Sequence, residues 1–341
     1  GNIHTHWTDT HDVLAIPYDL PIPGYKNDVV NTLRLWSAAA TDEFDLEDFN
    51  AGDYTDAVAA KNEAENITMV LYPNAETDSG RELRLRQQYF LASASLQDIL
   101  HDWVSLNGSD FSQFADQHCF QLNDTHPAIA VPELMRLLMD DHGLGWDDAW
   151  SVTTSTMAYT NHTLLPEALE TWPVAMIEHM LPRVLEIIFE INARFLSEVS
   201  RRWPGDVEVL GRMSLIQEKP QKIVRMAYLA IVGSFSVNGV AELHSRLLKQ
   251  GLFSDFARLW PAKFNNKTNG VTQRRWLAAC NPGLAALIDT RIGSAWLTDL
   301  DQLEELVPLA DDSDFQNEWR AVMQANKVRL AANIAGKTGI S

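Results

Sequence analysis

The chain of 341 residues is 46% apolar, enough to bury one large or two ordinary domains, and its 46 acidic against 27 basic residues give a formal charge of −19. So negative a surface repels phosphate backbones and anionic lipid headgroups, which excludes nucleic acid and membrane surfaces as partners and suits a neutral polymer. Two cysteines, Cys119 and Cys280, are too few for a disulfide framework; no secretory signal opens the chain and no apolar run is long enough to span a bilayer, so a reducing cytoplasm is the expected setting.

From the start at Gly1, the polar opening carries His4, His6 and His11, which lack the carboxylate or cysteine companions of a metal site. Val13 to Ile16 reads as a short strand entering a turn rich in proline at Pro17, Pro21 and Pro23, and Val29 to Trp36 as a second strand. The acidic stretch Asp42 to Asp56 reads as a solvated loop with short helices. Ile67 to Tyr72 has the β-branched and aromatic residues of a buried strand, stopped by Pro73-Asn74. A long amphipathic helix follows, with Leu83, Phe90, Leu91, Ala94, Ile99 and Trp103 on its apolar stripe.

That alternation recurs. Phe120-Gln121-Leu122 predicts a strand, Asn123-Asp124-Thr125-His126 a loop, and Ala128 to His142 a helix closed by Gly143. Met157-Ala158-Tyr159 then leads into Thr160-Asn161-His162-Thr163, with Pro166 in the first turn of the next helix. Arg183 to Trp203 is the plainest helix, ended by Pro204-Gly205; Ile223 to Val240 has mixed periodicity, and Ala241 to Gln250 reads as helix. From Leu277 to Ile334 the chain reads almost wholly helical, which places a junction near Arg275 to Pro282. Repeated strand-to-helix units predict an α/β fold.

In open α/β sheets ligands lie beyond the carboxyl ends of the strands. The loops Asn123 to His126 and Thr160 to Thr163 each put an amide, a hydroxyl and an imidazole at such an end, equipment suited to a polyhydroxyl ligand. The same residues also serve helix caps and turns for local reasons, so both readings stand for each loop. A third segment, Lys263 to Trp276, crowds four basic residues, three asparagines and a glycine between aromatics, and reads equally as a ligand loop or an interdomain turn. Serine-hydrolase elbows, phosphate-binding glycine loops, zinc-protease and dinucleotide signatures are all missing, and with 46 acidic residues no glycosidase carboxylate pair can be singled out. Of the 11 tryptophans, Trp36, Trp150, Trp203 and Trp319 sit in helix-like or strand-like patterns and are expected in the core rather than stacked on sugar.

Six segments in order carry a resemblance: Val29-Val30-Asn31-Thr32-Leu33-Arg34-Leu35-Trp36, Val70-Leu71-Tyr72-Pro73-Asn74, Glu82 to Phe90, Leu122-Asn123-Asp124-Thr125-His126-Pro127, Ala158-Tyr159-Thr160-Asn161-His162-Thr163, and Lys267-Thr268-Asn269-Gly270-Val271-Thr272. Together they closely resemble the glycogen, starch and maltodextrin phosphorylase family, its bacterial glycogen-phosphorylase branch most of all, over Val13 to Ile340. The resemblance implies an internal piece of a longer enzyme: a Rossmann-like domain of a two-domain glycosyltransferase fold of GT-B type, incomplete at both ends. Residues 1–275 would form most of the N-terminal domain and residues 276–341 the helical start of the C-terminal, cofactor domain. It further implies phosphorolysis of the terminal α-1,4 bond of a glucan to glucose 1-phosphate with retention. Pyridoxal 5′-phosphate would act through its phosphate group, with its lysine and the phosphate-holding Lys and Arg beyond Ser341, and this piece would be inactive alone. The parent would be a homodimer.

The same resemblance assigns His162 and Asn269 to the 6-hydroxyl of the reacting glucose, and Asp124 with His126 to the pocket beside the anomeric carbon. Arg84, Thr163 and Asn74 join them as substrate-binding residues; no metal is implied. Departures are visible. Ala75-Glu76 replaces the usual acidic or amide gate, Gln273 stands where Pro is usual, and Phe235 where His is common. His101-Asp102 replaces paired arginines that hold the phosphate of AMP in muscle-type enzymes, so no AMP activation of that kind is expected. The competing readings are a non-catalytic glucan-binding remnant, and a glucan hydrolase that would release reducing sugar without phosphate.

Overall fold

The computed structural model describes residues 5–41, 50–55 and 58–340. It divides into one compact unit ending at Thr268 and another beginning at Asn269. The first unit opens with an antiparallel ribbon of β1 (Val13–Pro23) and β2 (Val30–Ala40), Val13 opposite Ala40 and Pro23 opposite Val30. The turn expected at Pro17 to Pro23 is therefore strand. A two-stranded ribbon is all edge, where a residue with no N–H to donate can be tolerated.

Ile67 to Tyr72 is the second departure. Helix Ala59–Met69 runs through its first half, favoured by Ala59, Ala60 and Ala64, and Met69 to Tyr72 emerges 64% to 75% exposed. Ala64 and Ile67 are buried, as are Ala38 and Ala40 at the end of β2, and Thr68 Oγ1 accepts from the Ala38 N–H at 3.0 Å. With that packing available and no partner strand, β propensity yields to helix. Much of the acidic stretch Asp42 to Asp56, and His4 of the histidine-bearing opening, lie outside the described residues. Among the described residues no trio of His, Cys, Asp or Glu is placed to hold a metal, and no helix is long and apolar enough to cross a membrane.

Helix Asp78–Asn107 follows, with Thr77 Oγ1 accepting from the Gly80 N–H at its start. Its buried apolar residues are Leu85, Ala92, Ala94, Leu96, Leu100 and Trp103; Ala94 and Trp103 are there as expected, whereas Leu91 of the expected stripe is exposed. Beyond it the chain lays down β3 (Phe120–Asn123), β4 (Met157–Thr160), β5 (Thr171–Pro173), β6 (Ile216–Gln217), β7 (Ile223–Arg225), β8 (Ser236–Gly239) and β9 (Phe264–Asn266). β3, β4, β8 and β9 form a parallel sheet in that order, and β5, β7 and β6 a small antiparallel one. The parallel sheet with intervening helices is the α/β architecture the alternation predicts.

Leu122, Tyr159, Val237 and Phe264 bring the four parallel strands into one core with helix Pro182–Arg202, whose Val184, Leu185, Ile188, Ile191, Phe195 and Val199 recur at helical spacing. The mixed stretch Ile223 to Val240 resolves into β7, an almost wholly buried helix Met226–Gly233, and β8. A helix buried all round carries no amphipathic period, which explains its ambiguity.

The second unit is helical, with Pro282–Ile292, Leu300–Asp311 and Ser313–Thr338; its small core is Ala285, Ile288 and Trp296, against which Leu303 and Leu306 pack. Trp296 is fully buried, its Nε1 donating to Asp289 Oδ1 at 2.8 Å, whereas Trp319 is largely exposed rather than in the core.

Candidate functional site

All four parallel strands end on one edge, and the ladder runs a step past them. The Asp124 N–H donates to the Thr160 carbonyl at 3.0 Å, that of Asn161 to Asn238 at 2.9 Å, and that of Lys267 to Gly239 at 3.1 Å. The loops therefore leave at one level. Polar side chains cross the strands there: Gln121 Nε2 donates to Thr160 Oγ1 at 2.8 Å, and Thr160 Oγ1 to Asn238 Oδ1 at 2.8 Å.

The loop after β3 turns on Asp124, whose φ of 66° lies in the left-handed region that aspartate tolerates better than most residues. Asp124 Oδ1 accepts from the Thr125 N–H at 2.7 Å, which fixes the carboxylate at the strand end. His126 comes next, its Nε2 3.1 Å from Arg84 Nη2. A guanidinium only donates, so His126 Nε2 is the acceptor and a neutral ring carries its hydrogen on Nδ1. Arg84 also lies over the Tyr72 ring, its Cζ 5.8 Å from the centroid.

These residues surround a cavity of about 290 Å³, lined among others by Arg81, Arg84, Asp124, His126, Glu170 and Trp172. Helix Asp78–Asn107 supplies the two arginines, the β3 loop Asp124 and His126, and the approach to β5 the rest. Glu170 Oε1 accepts from Gln88 Nε2 at 2.8 Å. Three buried polar atoms here, Glu170 Oε2, Trp172 Nε1 and Gln88 Oε1, have no partner among the described residues. Buried polar groups are nearly always paired, so this cluster marks a place built for a polar occupant. Burial raises the Glu170 carboxyl above its ordinary 4.5, against the Gln88 hydrogen bond and the positive field of Arg84.

The loop after β4 is held differently. Asn161 is buried, its Nδ2 donating to the Tyr159 hydroxyl at 3.0 Å and its Oδ1 accepting from the Thr163 N–H at 3.1 Å. Burial pushes the Tyr159 phenol upward, so the hydroxyl stays protonated. Between them His162 stands exposed, with Nε2 2.8 Å from Asn123 Oδ1. That bond sets Nε2 as donor and leaves Nδ1 to accept from a hydroxyl.

Arg84, Asp124 and His126 thus share one cavity, and His162 reaches Asn123, the residue before Asp124. Thr163 serves its turn, its Oγ1 accepting from the Leu165 N–H at 3.2 Å. Asn74 is exposed and outside the cavity lining, with Oδ1 accepting from the Glu76 N–H at 2.9 Å; its neighbour Ala75 does line the cavity. Asn269 is the first residue of the second compact unit, exposed on the loop that precedes the helical turn Arg274–Ala279. Glu170, Trp172, Gln88 and Arg81 were not singled out by sequence; the only local signal is a carboxylate abutting the Thr-Trp-Pro start of a strand.

The carbohydrate phosphorylase family model matches this chain over residues 1–341. The muscle form of glycogen phosphorylase from Bos taurus is 54% identical over 333 residues, 96% of this chain and 40% of the relative. The human muscle form gives the same figures, and the brain form from Rattus norvegicus is 53% identical over 335 residues. The chain thus spans 40% of the length of the curated relatives it matches.

Proposed function

This chain belongs to the carbohydrate phosphorylase family, and from that premise we propose that it is the sugar-holding part of an α-1,4-glucan phosphorylase. The reaction is transfer of the terminal glucosyl unit of a glycogen-type or maltodextrin chain to inorganic phosphate, giving glucose 1-phosphate with retention. The observation that carries the reading is the cavity at the β3 loop, where Arg84, Asp124 and His126 meet the unpaired polar atoms of Glu170 and Trp172 beside the His162 loop.

A sugar ring presents hydroxyls that both donate and accept, and this wall offers both. His162 Nδ1 and Asp124 accept, and the Arg84 guanidinium donates. Each such bond contributes about 0.5–1.5 kcal/mol net, and more where its loss strands a buried partner. Bonds that tighten as the anomeric carbon becomes positive raise turnover as well as affinity. Asn269 and Asn74 belong to the proposal as further sugar contacts, on the resemblance of their motifs.

Pyridoxal 5′-phosphate, bound elsewhere in the enzyme, would supply a phosphate group for proton transfer. Among the described residues no lysine lines the cavity; Lys263 Nζ donates to the Ile231 carbonyl at 3.0 Å and Lys267 Nζ to Asn265 Oδ1 at 2.6 Å. The cavity therefore does not fit attachment of that cofactor, and the role of this chain is binding and orientation. The proposal includes a GT-B arrangement of two Rossmann-like domains with residues 1–275 in the first, a homodimeric parent and a cytoplasmic setting.

The test is His162→Ala in the enzyme that carries this chain together with its cofactor domain. Phosphorolysis of maltooligosaccharide should lose at least about tenfold in kcat/KM, the worth of a hydrogen bond whose loss leaves a polar partner stranded. An unchanged kcat/KM removes His162 from the site.

A further inference from the structure

Two side-chain bonds run from β3 to β4 and the residues just past its end. Gln121 Nε2 donates to Thr160 Oγ1 at 2.8 Å, and Asn123 Oδ1 lies 2.8 Å from His162 Nε2. Each joins a residue of β3 to the one 39 positions later. The parallel register sets Gln121 beside Ala158 and Asn123 beside Thr160, so both bonds reach the same two residues beyond the register partner. Gln121 and Asn123 are exposed, with buried Leu122 between them. Residues two apart in a strand face the same way, so the second bond is the first repeated one pleat further on.

The first rung has a fixed direction. Asn238 Nδ2 donates to the Gly239 carbonyl at 2.8 Å, and its Oδ1 accepts from the Thr160 hydroxyl, whose oxygen accepts from Gln121 in turn. The second rung ends on an imidazole. Asn161 Oδ1 and Asn74 Oδ1 each accept from the N–H two residues on, the ordinary use of an asparagine in a turn. Asn123 instead turns its oxygen across the sheet to His162. The backbone is held at both ends of that bond: the Asp124 N–H donates to the Thr160 carbonyl at 3.0 Å, and that of Asn161 to the Asn238 carbonyl at 2.9 Å.

We propose that Asn123 is a positioning residue for His162: its amide oxygen holds the ring in one orientation with the hydrogen on Nε2, which leaves Nδ1 as a standing acceptor for a sugar hydroxyl. An exposed imidazole without such a partner turns among rotamers and exchanges its hydrogen between two nitrogens. The bond also joins the loop that carries Asp124 and His126 to the loop that carries His162. The use made of Nδ1 rests on the reading of His162 given above; the bond itself does not.

The experiment is ring nitrogen NMR on the 15N-histidine-labelled chain, read where the rings are neutral, with His162 identified by the signals missing from His162→Ala. His162 should show the Nε2–H tautomer alone, with a hydrogen that exchanges slowly with water. In Asn123→Ala both tautomers should appear, and that hydrogen should exchange as fast as that of a free imidazole. Asn123→Asp keeps an acceptor at the same position and should restore tautomer and protection together. A populated Nδ1–H tautomer in the unsubstituted chain, or populations and exchange unchanged in the alanine variant, overturns the proposal; if that variant does not fold, the unsubstituted chain decides. In the cofactor-bearing enzyme, Asn123→Ala should lower kcat/KM for phosphorolysis about fivefold, the worth of one hydrogen bond. An unchanged value, where His162→Ala is impaired, also overturns it. Should Asn123→Ala release the tautomer while His162→Ala leaves phosphorolysis intact, the bond stands and the reading of the sugar site fails.

Discussion

Helix Asp78–Asn107 carries two buried polar constellations side by side, and they differ in whether they are complete. On one face, Glu133 takes hydrogen bonds from Ser93 Oγ at 2.7 Å, Tyr89 OH at 3.1 Å, and Arg136 Nε and Nη2, both at 2.9 Å. Burial works against the Arg136 charge, and Glu133 outweighs it, raising the guanidinium above its ordinary range. On the adjoining face, Gln88 reaches Glu170, and three polar atoms of Gln88, Glu170 and Trp172 have no partner among the described residues, beside a cavity. A network that satisfies itself holds helices together, whereas one left open awaits a ligand.

The largest expected effect breaks the closed side. Glu133→Ala leaves Arg136 buried beside a void, and removal of one partner of a buried ion pair costs about 3–5 kcal/mol. Urea unfolding should show a lower midpoint with an unchanged slope. A loss under about 1 kcal/mol would mean that the network contributes as little as an exposed pair, and the contrast would dissolve. Ser93→Ala removes one of its four hydrogen bonds. It should cost about 0.5–1.5 kcal/mol by the same measurement, since Glu133 retains its other donors. A cost as large as that of Glu133→Ala would make Ser93, rather than Arg136, the essential partner.

The two constellations were unequally legible in sequence. The strand ends announced themselves because short apolar runs give way at once to Asn-Asp-Thr-His and Thr-Asn-His-Thr, and strand-to-helix alternation makes such loops ligand-facing. Glu170 did not, since one carboxylate among 46 has no period. Its burial comes from pairings far away in sequence, Trp172 with Val224 across β5 and β7, and from Gln88, 82 residues earlier. The errors at Pro17 to Pro23 and Ile67 to Tyr72 share a cause: propensity describes a residue, while strand formation depends on whether a partner is present and which edge is free.

The smallest effect in total, and the most discriminating in form, belongs to Glu170→Gln on the open side. The folded chain holds the Glu170 proton above the ordinary 4.5, with burial the leading cause. Below that value the carboxyl is protonated folded or unfolded, so the variant and the original should melt alike. As the pH rises above it, the unfolded chain releases the proton while the folded chain keeps it, and the original loses stability that the non-titrating glutamine retains. The difference in melting temperature should therefore grow in favour of Glu170→Gln with rising pH and level off once Glu170 has ionised in the folded state. A difference that stays flat across the range would show that Glu170 ionises there as readily as in the unfolded chain. The burial of Glu170 would then not disfavour its charge, and the contrast between the open and the closed constellation would lose its electrostatic part.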